Sequence, residues 1–313
     1  MFGGLLLAQA ISAAGATVNP GFNVYSSQSS FLRPVTAAAP KDSSSQGSQS
    51  QKAIFYHVER ASDGRSYATR VVRATQTPPD SQKDDNDDGA PCAYVAIISF
   101  QRESATTTPT SNTLTYGVPM PAALDGLKPD DIPEDANRRL IDTWVGEGTG
   151  FSFEDPSFDW RPFGFVFEKD NPCACRTRGF VRARSSSSSS SLLPFSGDVA
   201  VNLAALAYMS DQFLSEVAVY ACQDRVRGGD GSEDGDGGPL LRNVVMNASL
   251  THSISFHDPG VRVDQWLVVE RETSWGADGR VLVHQRAWDF GTGRLVMSCV
   301  QEALIRLRGA GKL

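Results

Sequence analysis

Residues 249–306 decide the fold, and they contain SLTHSISFH (249–257), DQWLVVERETSWGADGRVLVHQRAWDF (264–290) and GRLVMSCVQEALIR (293–306). All three segments are rich in the aromatic and β-branched residues that favour strands. Turn-forming residues, Gly276, Asp278 and Gly279, divide the middle segment. We therefore predict an antiparallel hairpin from residues 266–269 and 281–288.

A third strand is predicted at 295–306, where apolar and polar residues partly alternate as in a sheet with one face on a core. Upstream, apolar residues recur at spacings of three and four through 199–220, which predicts one amphipathic helix. Asp198 stands in the N-cap position of this helix. A long helix followed by long antiparallel strands indicates a sheet that curls around the helix.

The first hundred residues repeat this order of elements. A helix is predicted at 5–18, and strand-like segments follow it at 24–32, 53–60, 67–76 and 94–101. Helix then strands, twice, implies two copies of one structural unit in element order, although not in residue identity. The predicted fold class is α+β, with two long central helices that are each wrapped by an antiparallel sheet.

The predicted domain organisation is an N-terminal unit (1–103), a linker (104–157) with one short helix near 134–145, and a C-terminal unit (158–313). Three polar segments are too hydrophilic to bury and are predicted to be disordered insertions. They are an Asp-rich segment at 77–91, a serine run at 185–191 and a Gly/Asp tract at 228–238.

Composition excludes several classes of protein. The chain has 313 residues, 40% of them hydrophobic, and a net charge of -7, so it carries no basic field suited to nucleic acid. No segment reaches the ~20 apolar residues of a membrane span. The five cysteines form no disulfide framework and suit a reducing compartment. Cys173 and Cys175 lack a second ligand pair at metal spacing, so neither a metal nor a cofactor is predicted.

Short segments that follow one another along nearly the whole chain are FGG (2–4), SFLRP (30–34), DGRSY (63–67), LAYMSD (206–211), HSISFH (252–257) and VQEALIR (300–306). Their order and spacing resemble those of the type II acyl-CoA thioesterases, a family with a double-hotdog fold. The resemblance implies that fold. It also implies hydrolysis of acyl-CoA, or of a related acyl thioester, to free acid and thiol without a cofactor.

In that family an Asp, a Ser or Thr, and a Gln hold the water that attacks the thioester carbonyl. The resemblance implies Ser274 as the hydroxyl and Gln301 as the amide, and it puts Thr251 where the Asp is expected. Threonine is not a base near pH 7, and losing a general base costs about 10²- to 10⁴-fold in rate. Hydrolysis is therefore expected to be slow or specialised. On an alternating strand His252 points away from Thr251, and neither His252 nor His257 is predicted to replace the base.

The resemblance also implies substrate-binding residues near the N-terminus. Gly3 and Gly4 precede a helix, where their N–H groups can face an oxyanion or phosphate, although glycine pairs also occur in plain turns. Tyr25 stands where the family carries a histidine. The resemblance puts the family's first strand before Phe2, so either the sequence is truncated at its N-terminus or the first hotdog lacks an edge strand.

Two alternatives to the hydrolase remain open. One is a non-hydrolytic paralogue that binds acyl thioesters or lipids, and the other is a tailoring enzyme that acts on a polyketide-type acyl chain in a secondary pathway. The last residues, GKL (311–313), loosely match the small-basic-leucine peroxisomal address, which leaves peroxisome and cytoplasm as locations. A homo-oligomer is compatible with each of these hypotheses.

Overall fold

The computed structural model describes residues 2–35, 53–76, 91–103, 114–122, 126–145, 157–184, 197–227 and 239–308. The predicted polar insertions lie almost wholly outside these ranges, as does the GKL tripeptide.

The described residues form five α-helices and ten strands. The helices are α1 (Gly3–Gly15), α2 (Ala136–Val145), α3 (Val199–Ser210), α4 (Glu216–Ala221) and α5 (Gln223–Arg227). The strands are β1 (Phe22–Phe31), β2 (Phe55–Asp63), β3 (Tyr67–Thr75), β4 (Tyr94–Arg102), β5 (Phe158–Val166), β6 (Arg176–Ala183), β7 (Val244–Phe256), β8 (Leu267–Ala277), β9 (Arg280–Asp289) and β10 (Leu295–Leu307).

All ten strands belong to one antiparallel sheet with the order β2-β3-β4-β1-β7-β10-β9-β8-β6-β5. The first half of the described chain contributes four strands and the second half contributes six, and the β1–β7 ladder joins the halves. Helix α1 packs on the first set of strands and against α3. The α+β double-hotdog architecture is thereby confirmed. Strand β4 ends at Arg102 and strand β5 begins at Phe158, on either side of the predicted linker (104–157). The domain boundaries themselves stay a prediction.

The predicted hairpin is formed by β8 and β9. Asp278 (φ 53°) and Gly279 (φ 77°) make its two-residue turn, and both have the positive φ that a tight hairpin turn requires. The N-cap prediction is also confirmed, because the Oδ1 atom of Asp198 accepts the N–H of Ala200 at 2.9 Å.

The prediction of one uninterrupted helix over 199–220 is wrong. Helix α3 ends at Ser210, residues 211–215 form a turn, and α4 starts at Glu216. Phe213 lies in this turn with a φ of 55°, which is a left-handed conformation incompatible with a continuing helix. The apolar spacing continued through the turn because Leu214 is still fully buried in the common core. The spacing of apolar residues therefore indicates which side chains are buried in this segment, but it does not show that the backbone stays helical.

Candidate active site

The C-terminal end of α3 meets the N-terminal end of α1 inside the molecule. Asp211 directly follows α3, and its carboxylate accepts a hydrogen bond from the backbone N–H of Gly4. A β-carbon on Gly4 would collide with the carbonyl oxygen of Tyr208, so glycine is required for the two helices to approach this closely. The positive end of the α1 dipole thus faces a carboxylate, which is the favourable arrangement.

Two strand residues complete a hydrogen-bonded set with Asp211. The hydroxyl Oγ of Ser249 on β7 donates to the Oδ1 of Asp211 at 3.1 Å. The amide Nε2 of Gln301 on β10 donates to the Oγ of Ser249 at 2.5 Å. Asp211 is 7% exposed and Gln301 is 1% exposed, so the set is shielded from bulk water.

A bulge in β7 turns Ser249 towards the interior. Thr251 pairs with Glu302 and Ser249 pairs with Ala303, so Leu250 has no partner in this ladder. On a regular strand Ser249 and Thr251 would share one face. The extra residue changes that alternation. Ser249 therefore faces Asp211, while Thr251 is exposed.

Asp211 is poised for proton transfer near neutral pH. Burial raises the pKa of its carboxyl group to about 7, and the hydrogen bonds from Ser249 and Gly4 act in the opposite direction. The nearby carboxylate of Glu216 raises the pKa further. A general base works best when its pKa lies near the working pH. The set therefore joins a buried base to a hydroxyl and an amide.

The N-terminal half supplies one wall of the site. Phe31 on β1 packs its ring against that of Tyr94 on β4 at 5.4 Å, and the Phe31 ring also borders Gly3. The Tyr94 hydroxyl shares a hydrogen bond with Ser29 at 2.8 Å. Burial raises the pKa of Tyr94, and the neighbouring Asp211 carboxylate adds to this. The candidate site is consequently built from both halves of the chain.

A buried arginine braces the turn that carries Asp211. The Nε of Arg271 on β8 donates to the Oε1 of Gln285 at 2.6 Å, and its Nη1 donates to the carbonyl oxygen of Phe213 at 3.4 Å. The guanidinium lies 4.7 Å from the centre of the Trp160 ring. Burial lowers the pKa of Arg271 to about 10, which still leaves it charged at neutral pH.

The predicted catalytic residues do not converge, which corrects the expectation from the sequence. Gln301 is in the site, but Thr251 and Ser274 are exposed. The Oγ1 of Thr251 accepts the backbone N–H of Glu302 at 3.4 Å, and Ser274 shares a hydrogen bond of 2.7 Å with His284. Both hydroxyls lie on the solvent side of the sheet, away from the buried carboxylate.

The predicted substrate-binding residues divide in the same way. Gly3 and Gly4 lie at the site, where both adjoin Asp211. Tyr25 does not, because it is exposed and packs edge-on against Tyr67 at 6.0 Å. It precedes Phe31 by six residues, about 20 Å along an extended strand.

Asp211 and Ser249 were missed as functional residues. Asp211 ends the LAYMSD segment, and an acidic residue that closes an otherwise apolar helical run is a signal of a buried carboxylate. Ser249 gave no signal of its own, because only the bulge brings it inward. In the parts of the chain that the structure describes, no cluster of three His, Cys, Asp or Glu residues has metal-binding geometry.

Comparison with known proteins adds independent findings. Residues 129–305 match the family model described as the acyl-CoA thioesterase C-terminal domain. Acyl-coenzyme A thioesterase 8 of Mus musculus is 24% identical, over 98% of this chain and 81% of the relative. The Homo sapiens protein of that name is 26% identical, over 98% and 81%. The crystal structure of the acyl-CoA thioesterase II TesB2 from Mycobacterium marinum aligns with a TM-score of 0.65 and 24% identity, over 99% of this chain and 90% of that one.

Proposed function

Because the chain belongs to the acyl-CoA thioesterase family, whose C-terminal-domain model matches more than half of it, we propose that it hydrolyses acyl-CoA thioesters to free acid and CoA. The observation that carries the proposal is the hydrogen-bonded set of Asp211, Ser249 and Gln301, in which a buried carboxylate has a pKa of about 7.

The carboxylate of Asp211 acts as the general base. It takes one proton from a water molecule while the water oxygen bonds to the thioester carbonyl carbon. The resulting tetrahedral intermediate then breaks its C–S bond, releasing the acid and the CoA sulfur. Because a thiol has a pKa of about 8.5, the sulfur leaves readily, and the proton on Asp211 is available to it.

Ser249 and Gln301 orient the base and the water. Ser249 accepts from Gln301 and donates to Asp211, so it fixes which carboxylate oxygen stays open for the water. The Oε1 of Gln301 is buried and has no hydrogen-bond partner among the described residues. A buried acceptor of this kind favours a water O–H, which would hold the nucleophile beside the carboxylate.

The alternative of a non-hydrolytic binder rested on Thr251 as the residue in place of the base. Asp211 supplies a carboxylate from a different element, so that reason no longer applies. No observation favours a tailoring enzyme for polyketide-type chains.

We propose the peroxisome or the cytoplasm as the location, supported by the loose match of GKL to the small-basic-leucine address. None of the described helices has the length and apolar character to cross a membrane. A homo-oligomer stays a prediction.

A thiol-release assay with DTNB over acyl-CoAs of several chain lengths tests the function, with mass spectrometry to identify the free acid. Asp211→Asn should lower kcat by about 10²- to 10⁴-fold. Thr251→Ala and Ser274→Ala are matched controls, because both remove an exposed hydroxyl from the same sheet, and they should stay within about 2-fold of the wild type. An Asp211→Asn variant with full activity would refute Asp211 as the base. A Thr251→Ala variant without activity would restore the role first predicted for Thr251.

A further inference from the structure

A second hydrogen bond joins the end of α3 to β7, immediately beside the one made by Asp211. His252 on β7 is fully buried, and its Nε2 lies 3.1 Å from the Oγ of Ser210, the last residue of α3. The hydroxyl of Ser210 donates its only hydrogen to the carbonyl oxygen of Ala207 at 2.8 Å. The Nε2 of His252 must therefore carry the hydrogen and donate it to Ser210.

His252 is unsuited to proton transfer itself. Burial lowers the pKa of its imidazole to about 4, so the ring is neutral near pH 7. The Nε2–H of His252 is donated to Ser210 and not to the carboxylate of Asp211, which is the next residue along the chain. Any contribution of His252 to the reaction must consequently be made through geometry.

The two bonds fasten consecutive helix residues to the same strand. Ser210 is held by His252, and Asp211 is held by Ser249. Both strand residues face inward because the bulge at Leu250 lies between them. The terminal carbonyls of a helix lack partners within it, so a helix end frays unless other groups hold it. Without His252, the bond from Ser249 to Asp211 would be the remaining one of this pair between the end of α3 and β7.

His252 also adjoins the amide of the site, since it is the cross-strand partner of Gln301 in the β7–β10 ladder. Both side chains are buried on the same face of the sheet. Cross-strand partners on one face have β-carbons about 4.5–5.5 Å apart, so the ring limits the space in which the Gln301 side chain can move.

We propose that His252 is a positioning residue, which acts through Ser210 to hold the Asp211 carboxylate at the distance from Ser249 and Gln301 that hydrolysis requires. This inference rests on the proposed function, in which Asp211 is the base. A displacement of about 1 Å at a catalytic group costs about 10²-fold in rate, which sets the scale of the expected effect.

The test compares four variants in the full chain. His252→Phe removes the donor but keeps an aromatic ring, and His252→Gln restores an N–H donor on a side chain of similar reach. Ser210→Ala removes the hydroxyl acceptor and leaves the backbone carbonyl oxygen of Ser210, which also accepts from His252. Asn202→Ala is the matched control, because Asn202 is an equally buried α3 residue whose Oδ1 accepts the N–H of Val263 at 3.1 Å, two turns away from Asp211.

We expect His252→Phe and Ser210→Ala to lower kcat by about 10- to 100-fold with KM within about 3-fold of the wild type. The double variant should be no slower than His252→Phe, because that substitution already removes every bond between the two residues. His252→Gln should recover most of kcat. Asn202→Ala should lower the thermal midpoint without this loss of kcat.

Hydrogen exchange of residues 209–215, followed by mass spectrometry, tests the same bond without any turnover. Exchange should speed up in His252→Phe and Ser210→Ala but not in Asn202→Ala. Equal kcat values for His252→Phe and the control, or a His252→Gln variant as slow as His252→Phe, would overturn the proposal. So would unchanged exchange in both bond-deleting variants. A wild type that hydrolyses no acyl-CoA refutes the proposed function instead, and the exchange data still decide whether His252 holds the helix end.

Discussion

A β-carbon built on Gly3 would lie 2.8 Å from the Oδ2 of Asp211 and 2.9 Å from the ring of Phe31. Real β-carbons essentially never show contacts this short, so any other residue at this position must displace the carboxylate or the helix. The first turn of α1 also provides the Gly4 N–H that the same carboxylate accepts. The backbone of one half of the molecule thus limits where the base of the other half can lie.

Gly3→Ala should therefore lower kcat by at least about 10-fold and destabilise the protein by about 1–3 kcal/mol, as overpacking does. Gly15→Ala is the matched control, because it lies at the other end of the same helix and its β-carbon would meet nothing within 4 Å. That control should be neutral or stabilising by about 0.5–1 kcal/mol, since alanine is the better helix former. DTNB assays and urea unfolding of both variants measure this, and a fully active Gly3→Ala protein would contradict the steric argument.

The rate should depend on pH in the way that a base with a raised pKa requires. Since the pKa of Asp211 is about 7, kcat should rise roughly tenfold per pH unit below that value and level off above it. The residual activity of Asp211→Asn should lack this step. Initial rates at saturating acyl-CoA between pH 5 and 9 provide the measurement. A wild-type rate that is flat across about pH 5.5–7.5 would rule out this carboxylate as the group that titrates.

The contribution of Asp211 to the unfolding free energy should fall as the pH rises, whereas its contribution to the rate should increase. The pKa of Asp211 is about 7 in the folded protein and about 3.9 in an unfolded chain. The folded state binds the proton more tightly, so this contribution is fully present below about pH 4 and is lost as the pH rises through about 7. The difference in unfolding free energy between wild type and Asp211→Asn should shrink, and then favour the variant, over this window. Urea titrations of both proteins at several pH values measure it; a difference independent of pH would contradict the raised pKa.

Removing the Arg271 side chain should loosen the turn behind the base. Arg271→Met keeps an unbranched side chain but removes the guanidinium and its bonds to Gln285 and to the carbonyl oxygen of Phe213, so we expect a loss of about 1–3 kcal/mol in unfolding free energy. Arg286→Met is the matched control on the neighbouring strand, because Arg286 is a partly exposed residue paired with Glu272 at 3.8 Å. It should change the unfolding free energy by less than about 1 kcal/mol. Equal losses in the two variants would show that Arg271 has no special role.

Much of the fold follows from local patterns in the sequence. The β8–β9 hairpin was predictable because Asp278 and Gly279 are the residue types that accept positive φ in a two-residue turn. The end of α3 was not predictable in this way. Leu214 continues the apolar spacing past the true end of the helix, and the turn around Phe213 is held by distant groups such as Arg271.

The candidate site was predictable only in part, for a comparable reason. Gln301 and the glycine pair were identified, since their neighbouring residues carried the resemblance. Ser249 was not, because an alternation argument assumes an unbroken strand, and the bulge at Leu250 reverses its outcome. Thr251 was placed at the site by the resemblance, whereas the structure leaves its side chain exposed. Asp211 was visible in the sequence as an acid that ends an apolar helix, but its partners come from three other elements.

The two halves share one architecture, yet their central helices end in different chemistry. Helix α3 is followed by the carboxylate of Asp211, whereas α1 is followed by the methyl side chain of Ala16. One repeat donates the base and the other donates the backbone that receives it, so neither repeat would have a complete reaction centre by itself. The described residues of the two repeats together form one such reaction centre. Catalysis therefore constrains opposite ends of the two helices, the C-terminal end of α3 and the N-terminal end of α1.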